Sequence, residues 1–253
     1  MKYEDRLSVT IDKMRWLRLP GMARSLGPLL ERAKEDNLGA LDIVDALCDD
    51  ERTSRIQSAI VRRVRAARFP EINTVDGFDF DFDPHRKKLR ARYLALHELD
   101  FIERGVNPIF VGAPGTGKTF LARSLAYRAC QATRRVVVTT AARMLNELAG
   151  AEIHGHVERA LRRFTAASLL VVEDFAVLEM DAAQAKLAFQ VMSERYDHRR
   201  STVVTTNRPF KDWTKVFPDP LSAQIIAERL TERSEVFDLL HARSYRDPRT
   251  AKK

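Results

Sequence analysis

The chain has 253 residues, with 43 Lys and Arg against 35 Asp and Glu and a formal charge of +8. Its 45% hydrophobic and 31% charged residues, with 10 Gly and 10 Pro, exclude a collagen-like, low-complexity or wholly disordered chain. Cys48 and Cys130 lack disulfide-framework or zinc spacing, no apolar run nears the roughly 20 residues of a membrane span, and the charged start at Met1 to Thr10 does not read as an export signal, so a cytoplasmic protein without a membrane partner is expected.

The positive charge is uneven. Residues 1–107 carry 20 basic and 19 acidic side chains, and residues 108–253 carry 23 and 16. A basic balance favours polyanionic partners by Coulomb attraction, nucleic acid first among them.

Residues 1–68 read as a helical N-terminal domain for DNA or partner binding. Leu7, Ile11, Met14 and Leu17 recur at helical spacing until Leu19-Pro20-Gly21 breaks the pattern. A second helix is expected from Met22, interrupted at Gly27-Pro28 and stopped near Asn37-Leu38-Gly39. The third and longest helical pattern runs from Leu41 to Arg68, through Val44, Leu47, Ile56, Ile60 and Val64. Its other positions hold Arg52, Arg55, Arg62, Arg63, Arg65 and Arg68, six guanidinium groups within 17 residues that would suit either a solvated face or a phosphate-tracking surface.

Residues 69–85 change character. Phe78, Phe80 and Phe82 alternate with Asp79, Asp81 and Asp83, the pattern of an extended linker whose rings dock on the next domain rather than stay in water. Residues 86–253 then form the second domain. A helix with Leu89, Tyr93, Leu96 and Leu99 ends near Gly105, and strand and helix alternate from there. Strands are expected at Pro108–Val111, Arg135–Thr140, Leu169–Glu173, Thr202–Thr206 and Glu235–Leu239. Helices are expected at Lys118–Gln131, Ala141–Leu148, Val157–Ala167, Ala183–Arg199 and Ser222–Thr231. This alternation predicts an α/β fold, a five-stranded parallel sheet between helical layers.

Gly112-Ala113-Pro114-Gly115-Thr116-Gly117-Lys118-Thr119 matches G-x-x-x-x-G-K-[ST], between an apolar strand and an apolar-periodic helix that opens with Phe120. Glycines permit backbone angles that turn successive N–H groups inward, and the helix start adds its positive end, so a triphosphate is what fits. Lys118 is expected at the β- and γ-phosphates of ATP and the Thr119 hydroxyl on Mg²⁺. Four apolar residues, Leu169 to Val172, lead to Glu173 and Asp174, a Walker B pattern. By register Glu173 takes the metal side and Asp174 polarises the attacking water, with either carboxylate a candidate for either role. Asn207, after the fourth strand, is placed to orient that water. On the late helix Ile225 to Leu230, Arg229 is the first choice for a cation that neutralises charge on the transferred phosphoryl group, ahead of Arg233, Arg243 and Arg246. Arg52, Arg55, Arg62, Arg63, Arg162, Arg163, Arg199 and Arg200 are the candidate DNA phosphate contacts.

In this order, LRLPGMARSL, ARFPEINTVDGFDFDF, GAPGTGKT, LLVVED, VVTTNRPF, IAERL and the closing SYR at Ser244 to Arg246 resemble the IstB-type ATP-binding proteins. These are helper ATPases of insertion-sequence transposition, AAA+ proteins related to bacterial replicative helicase loaders. The resemblance implies an ATP-dependent oligomer that binds duplex DNA with little sequence preference and works with a transposase. It places Lys118 and Thr119 at ATP and magnesium, Asn207 as sensor, and Arg229 as a finger acting on a neighbouring protomer. A helicase loader is the alternative it leaves open. The family usually carries two aspartates at the end of the Walker B strand; here the first is Glu173, whose longer side chain would weaken magnesium coordination and leave nucleotide binding intact. Phe175-Ala176 stands where a small glycine-containing turn is common.

Overall fold

The computed structural model describes residues 2–246; the last seven residues of the second expected domain, 247–253, lie outside the described residues. The chain divides between Arg62 and Arg63 into two compact units. That division falls inside a helix, whereas the linker was expected to start at residue 69.

The first unit is helical: α1 (Tyr3–Trp16), α2 (Pro20–Glu35) and α3 (Ala40–Ala67), which runs on into the second unit. Its core is small, with Leu26, Leu29 and Leu47 buried and Leu7, Ile11 and Met14 packed against them from α1. Leu17 does not join that stripe: α1 ends one residue before it and its side chain is 56% exposed. Pro28 does not break α2, which continues through it to Glu35. Proline removes one N–H donor, and burial of Leu26, Leu29 and Ala33 on either side outweighs that single missing bond.

The second unit carries β1 (Asn107–Gly112), β2 (Val136–Thr140), β3 (Leu169–Glu173), β4 (Ser201–Thr206) and β5 (Ser234–Leu239) in one sheet ordered β2-β3-β4-β1-β5, every pairing parallel. These are the five expected strands, shifted by no more than a residue at either end. The reason is visible in the packing, because successive residues of each strand enter opposite cores. Leu169 and Val171 face one layer, with Phe110, Val136, Val138, Val203 and Phe237, beneath α4 (Pro84–Ala95), α5 (Asp100–Arg104) and α6 (Lys118–Gln131). Leu170 and Val172 face the other, with Ile109, Val111, Val137 and Val204, beneath α7 (Ala141–Ile153), α8 (Val157–Thr165), α9 (Ala182–Asp197) and α10 (Pro220–Thr231). Helix α7 runs five residues past its expected end at Leu148.

Residues 69–85 are not simply extended. Single 3₁₀ turns form at Val75–Gly77, closed by backbone bonds from Gly77 to Thr74 and from Phe78 to Val75, and at Phe80–Phe82, where the Asp79 carboxylate accepts a hydrogen bond from the Asp81 amide and pulls the chain round. The rings do dock. Phe78 and Phe80 are buried in the α6-side core, and Phe78 lies 5.6 Å from the Phe120 ring. The expected helix to Gly105 is split by Leu99, which adopts φ +68° between a 3₁₀ turn and α5.

Candidate nucleotide-binding site

Strand β1 is buried along its whole length and hydrogen-bonded on both sides, to β4 and β5, so its carboxyl end is a rigid platform. The chain leaves it at Gly112 and enters α6 at Lys118. Two positions of that bend take the left-handed backbone that glycine favours. Gly115 and Gly117 have φ of +79° and +95°, and a Cβ on Gly117 would sit 2.5 Å from the Phe78 ring. Gly117 caps α6 without a side chain, so the amides of the first helical turn stay available to an anion at the positive end of the helix. Lys118 is buried to 7% exposure and donates to the Ala113 carbonyl at 2.8 Å, an oxygen that also accepts from the Thr116 hydroxyl at 2.8 Å. Burial holds its ammonium below the ordinary lysine range, against the pull of the Asp174 carboxylate, which favours the charged form. Thr119 and Phe120 follow, both half-buried.

Because the sheet is parallel, the ends of β3 and β4 share this edge. Asp174, just past β3, is exposed, with φ +54° and its amide donating to Thr205 Oγ at 3.1 Å. Phe175 N–H donates to the Thr205 carbonyl at 2.9 Å, which ties the turn to β4. Asn207 is exposed one residue beyond β4, between the P-loop strand and the Asp174 strand.

Glu173 departs from its expected place. It is 3% exposed and both its oxygens are bound by Arg123 of α6, at 2.6 and 2.7 Å. A carboxylate held in both arms of a guanidinium is already neutralised, which leaves Asp174 as the exposed carboxylate of the pair. Arg123, whose guanidinium is held above its ordinary value by that hydrogen-bonded pair, was not foreseen. The available signal was that it stands alone in charge on the buried middle of the P-loop helix. The residues fit a hard divalent ion in the manner of nucleotide sites, with one hydroxyl (Thr119) and one carboxylate (Asp174), the rest coming from phosphate and water. Among the described residues no group of three or more His, Cys, Asp or Glu could hold a metal by itself.

Arg229 lies elsewhere. Asn107 donates its amide to the Arg233 carbonyl at 2.7 Å and its side chain to the Leu230 carbonyl at 3.1 Å, fixing the end of α10 to the start of β1. The P-loop begins five residues on, about 16 Å away at the rise of a parallel strand. Arg229 therefore sits at the opposite edge of the sheet from its own P-loop, its guanidinium 5.3 Å from the Phe189 ring and 5.4 Å from Tyr196. Arg246, a lesser choice for the same role, is the arginine found at the P-loop. Tyr245 N–H donates to the Gly115 carbonyl at 3.0 Å, and a Cβ on Gly115 would meet Arg246 Cγ at 3.3 Å.

The candidate DNA contacts divide by what already holds them. Arg163 pairs with Glu147, Arg200 donates to the Thr165 carbonyl, and Arg63 to the Thr133 carbonyl at 3.1 Å. Arg55 is shared between Glu51 at 2.8 Å and the Arg18 carbonyl at 3.4 Å. Arg52 and Arg162 are exposed and carry only surface pairs, with Asp49 and Glu158, which are worth little in water. Arg199 is exposed. Arg62 lines two open clefts of the first unit, of about 640 and 650 Å³, alongside Arg24 in one and Arg15, Arg18 and Arg55 in the other. No helix among the described residues is long and apolar enough to cross a membrane.

The profile of the IstB-like ATP-binding protein family matches residues 12–252. A protein named as the ATP-binding protein of insertion sequence IS232 from Bacillus thuringiensis subsp. berliner is 33% identical over 233 residues, 92% of either chain. The corresponding IS21 protein of Pseudomonas aeruginosa is 31% identical over 230 residues, 91% of this chain and 85% of that one. Among solved structures, the DnaC helicase loader matches 62% of this chain and 91% of its own, with TM-score 0.56 and 19% identity. AMPPCP-bound DnaA from Aquifex aeolicus matches 66% of this chain and 49% of its own, with TM-score 0.55 and 18% identity. With its P-loop at the end of a central parallel strand, the chain belongs to the IstB-like ATP-binding protein family and has the AAA+ fold.

Proposed function

We propose that the protein is an ATP-dependent, DNA-binding helper of insertion-sequence transposition that oligomerises on duplex DNA and regulates or recruits a transposase in the cytoplasm. What carries the reading is that its relatives over nine-tenths of the chain are proteins of insertion sequences. The P-loop amides and Lys118 bind the phosphates of ATP. A Mg²⁺ ion held through Thr119 and Asp174 would neutralise charge between the β- and γ-phosphates. Asn207 orients the attacking water, with Asp174 beside it. Arg229 is turned away from its own nucleotide, so it serves the site of a neighbouring protomer, and ATP lies between subunits as the element that controls assembly. Exposed arginines of the helical unit, with Arg162 and Arg199, contact DNA phosphates without reading bases.

The test is ATP turnover and particle size with and without duplex DNA, in wild type, Lys118→Ala and Arg229→Ala. Lys118→Ala is expected to abolish nucleotide binding. Arg229→Ala is expected to bind ATP normally while losing turnover and assembly; normal hydrolysis by that variant removes the finger assignment. Preference for single-stranded over duplex DNA would move the reading to a helicase loader.

A further inference from the structure

Arg86, in the first turn of α4, is fully buried, yet its guanidinium is poorly supplied with acceptors. Its Nη2 donates to the Arg243 carbonyl at 2.6 Å and its Nε lies 3.2 Å from the Asp83 carboxylate, while Nη1 has no hydrogen-bond partner. Burying a guanidinium so incompletely matched is costly, so its surroundings must return something for it. What surrounds it is aromatic. The guanidinium carbon lies 3.7 Å from the Tyr245 ring centre, 4.6 Å from Phe82 and 5.6 Å from Phe78.

Tyr245 is the middle of the strap formed by residues 243–246. Its hydroxyl donates to the Asp79 carbonyl at 2.9 Å, its ring lies 4.4 Å from Phe82, and its amide reaches Gly115 of the P-loop. Arg243 donates to the Phe82 carbonyl, closing the strap on the 3₁₀ turn. One residue on, the Arg246 side chain lies against Gly115, near enough to Lys118 for its charge to oppose that ammonium's. Two cations within reach of each other's charge repel unless a polyanion joins them.

We propose that Arg86 is a positioning residue of the nucleotide site, acting through the Tyr245 ring to hold the strap on Gly115 so that Arg246 and Lys118 meet the terminal phosphates together. The proposal rests on the ATP-binding reading and adds a residue with no polar contact to the P-loop. Arg86→Lys keeps the charge and loses the plane that stacks on Tyr245. Tyr245→Phe keeps the ring, and Tyr245→Leu removes it.

Calorimetric titration with Mg-ATP and Mg-ADP tests this. One charge-assisted phosphate contact is worth about tenfold or more in affinity, so Arg86→Lys, Tyr245→Leu and Arg246→Gln should each weaken ATP by about that factor. ADP binding should change much less, and Tyr245→Phe, which keeps the ring and loses the hydroxyl's bond to Asp79, should lose clearly less ATP affinity than Tyr245→Leu. Combined with Arg246→Gln, Arg86→Lys should add nothing further, because the group it positions is gone. Wild-type ATP affinity in Arg86→Lys, or a full second loss in the double variant, overturns the proposal. If Arg86→Lys does not fold, Tyr245→Leu takes its place in the same cycle; if neither folds while Arg246→Gln does, the contact serves stability and the proposal fails. No heat from wild type with Mg-ATP would instead remove the ATP reading itself, and this proposal with it.

Discussion

Ala176 has φ +56° in the turn after Asp174 and is fully buried, an unfavourable backbone for any residue with a Cβ. The turn holds because Phe175 anchors it, its ring 5.2 Å from Trp213 and 6.3 Å from Phe217. Ala176→Gly is therefore expected to raise stability by about 0.5–1 kcal/mol, read from denaturant midpoints, since the strain removed exceeds the added chain entropy. A lowered midpoint would mean that the buried methyl packs better than the backbone suffers. Glu173 illustrates a second residue-scale point. One more methylene than aspartate lets it meet Arg123 in a two-armed pair, leaving Asp174 as the open carboxylate of the turn.

At the scale of elements, two helix ends are satisfied from a distance. The start of α2 has no side-chain cap of its own; instead Glu51, buried on α3, accepts from the Gly21 amide at 2.7 Å and the Met22 amide at 3.3 Å. Burial alone would raise the Glu51 carboxyl, but the Arg55 pair and the two amides outweigh it and hold the group below its ordinary value. Its stabilisation is thus complete above the ordinary carboxylate range and is lost as pH falls through the lowered value. Glu51→Gln should cost about 1–2 kcal/mol at neutral pH, as losing a helix cap does, and should flatten the acid limb of stability against pH, followed by helical circular dichroism. The same device appears in the second unit, where Arg195, pushed down to about 9 chiefly by burial, donates to the carbonyls of Phe164 and Ala167 at the end of α8. Neither partnership is encoded near the helix it serves, whereas α6 and the five strands are, because each carries its own apolar period.

At the scale of the whole molecule, nucleotide chemistry belongs to the second unit, while the arginine-lined clefts lie in the first. If the exposed arginines track duplex DNA, affinity should fall with salt at a log–log slope of about −0.9 for each phosphate contacted. Arg52→Ala and Arg62→Ala should each reduce that slope by about one, with no change in preference among DNA sequences, measured by fluorescence anisotropy. A salt-independent affinity would mean that the positive surface does not meet phosphate.

By itself the sequence settled what is local: the eight-residue bend and its helix, five apolar strands, and two acids at the end of one of them. Backbone preference and hydrophobic period act over a few residues, so they can be read in order along the chain. Arg123 meets Glu173, and residues 78–86 meet residues 243–246, only when the chain is folded. Their meeting depends on which strand end faces which helix and on the aromatic floor beneath the strap, contacts separated by up to 166 positions, as Tyr245 is from Asp79. The same long-range geometry put Arg229 on the far edge of the sheet and brought Arg246 to the phosphate loop, a choice that spacing along the chain contains no information to make.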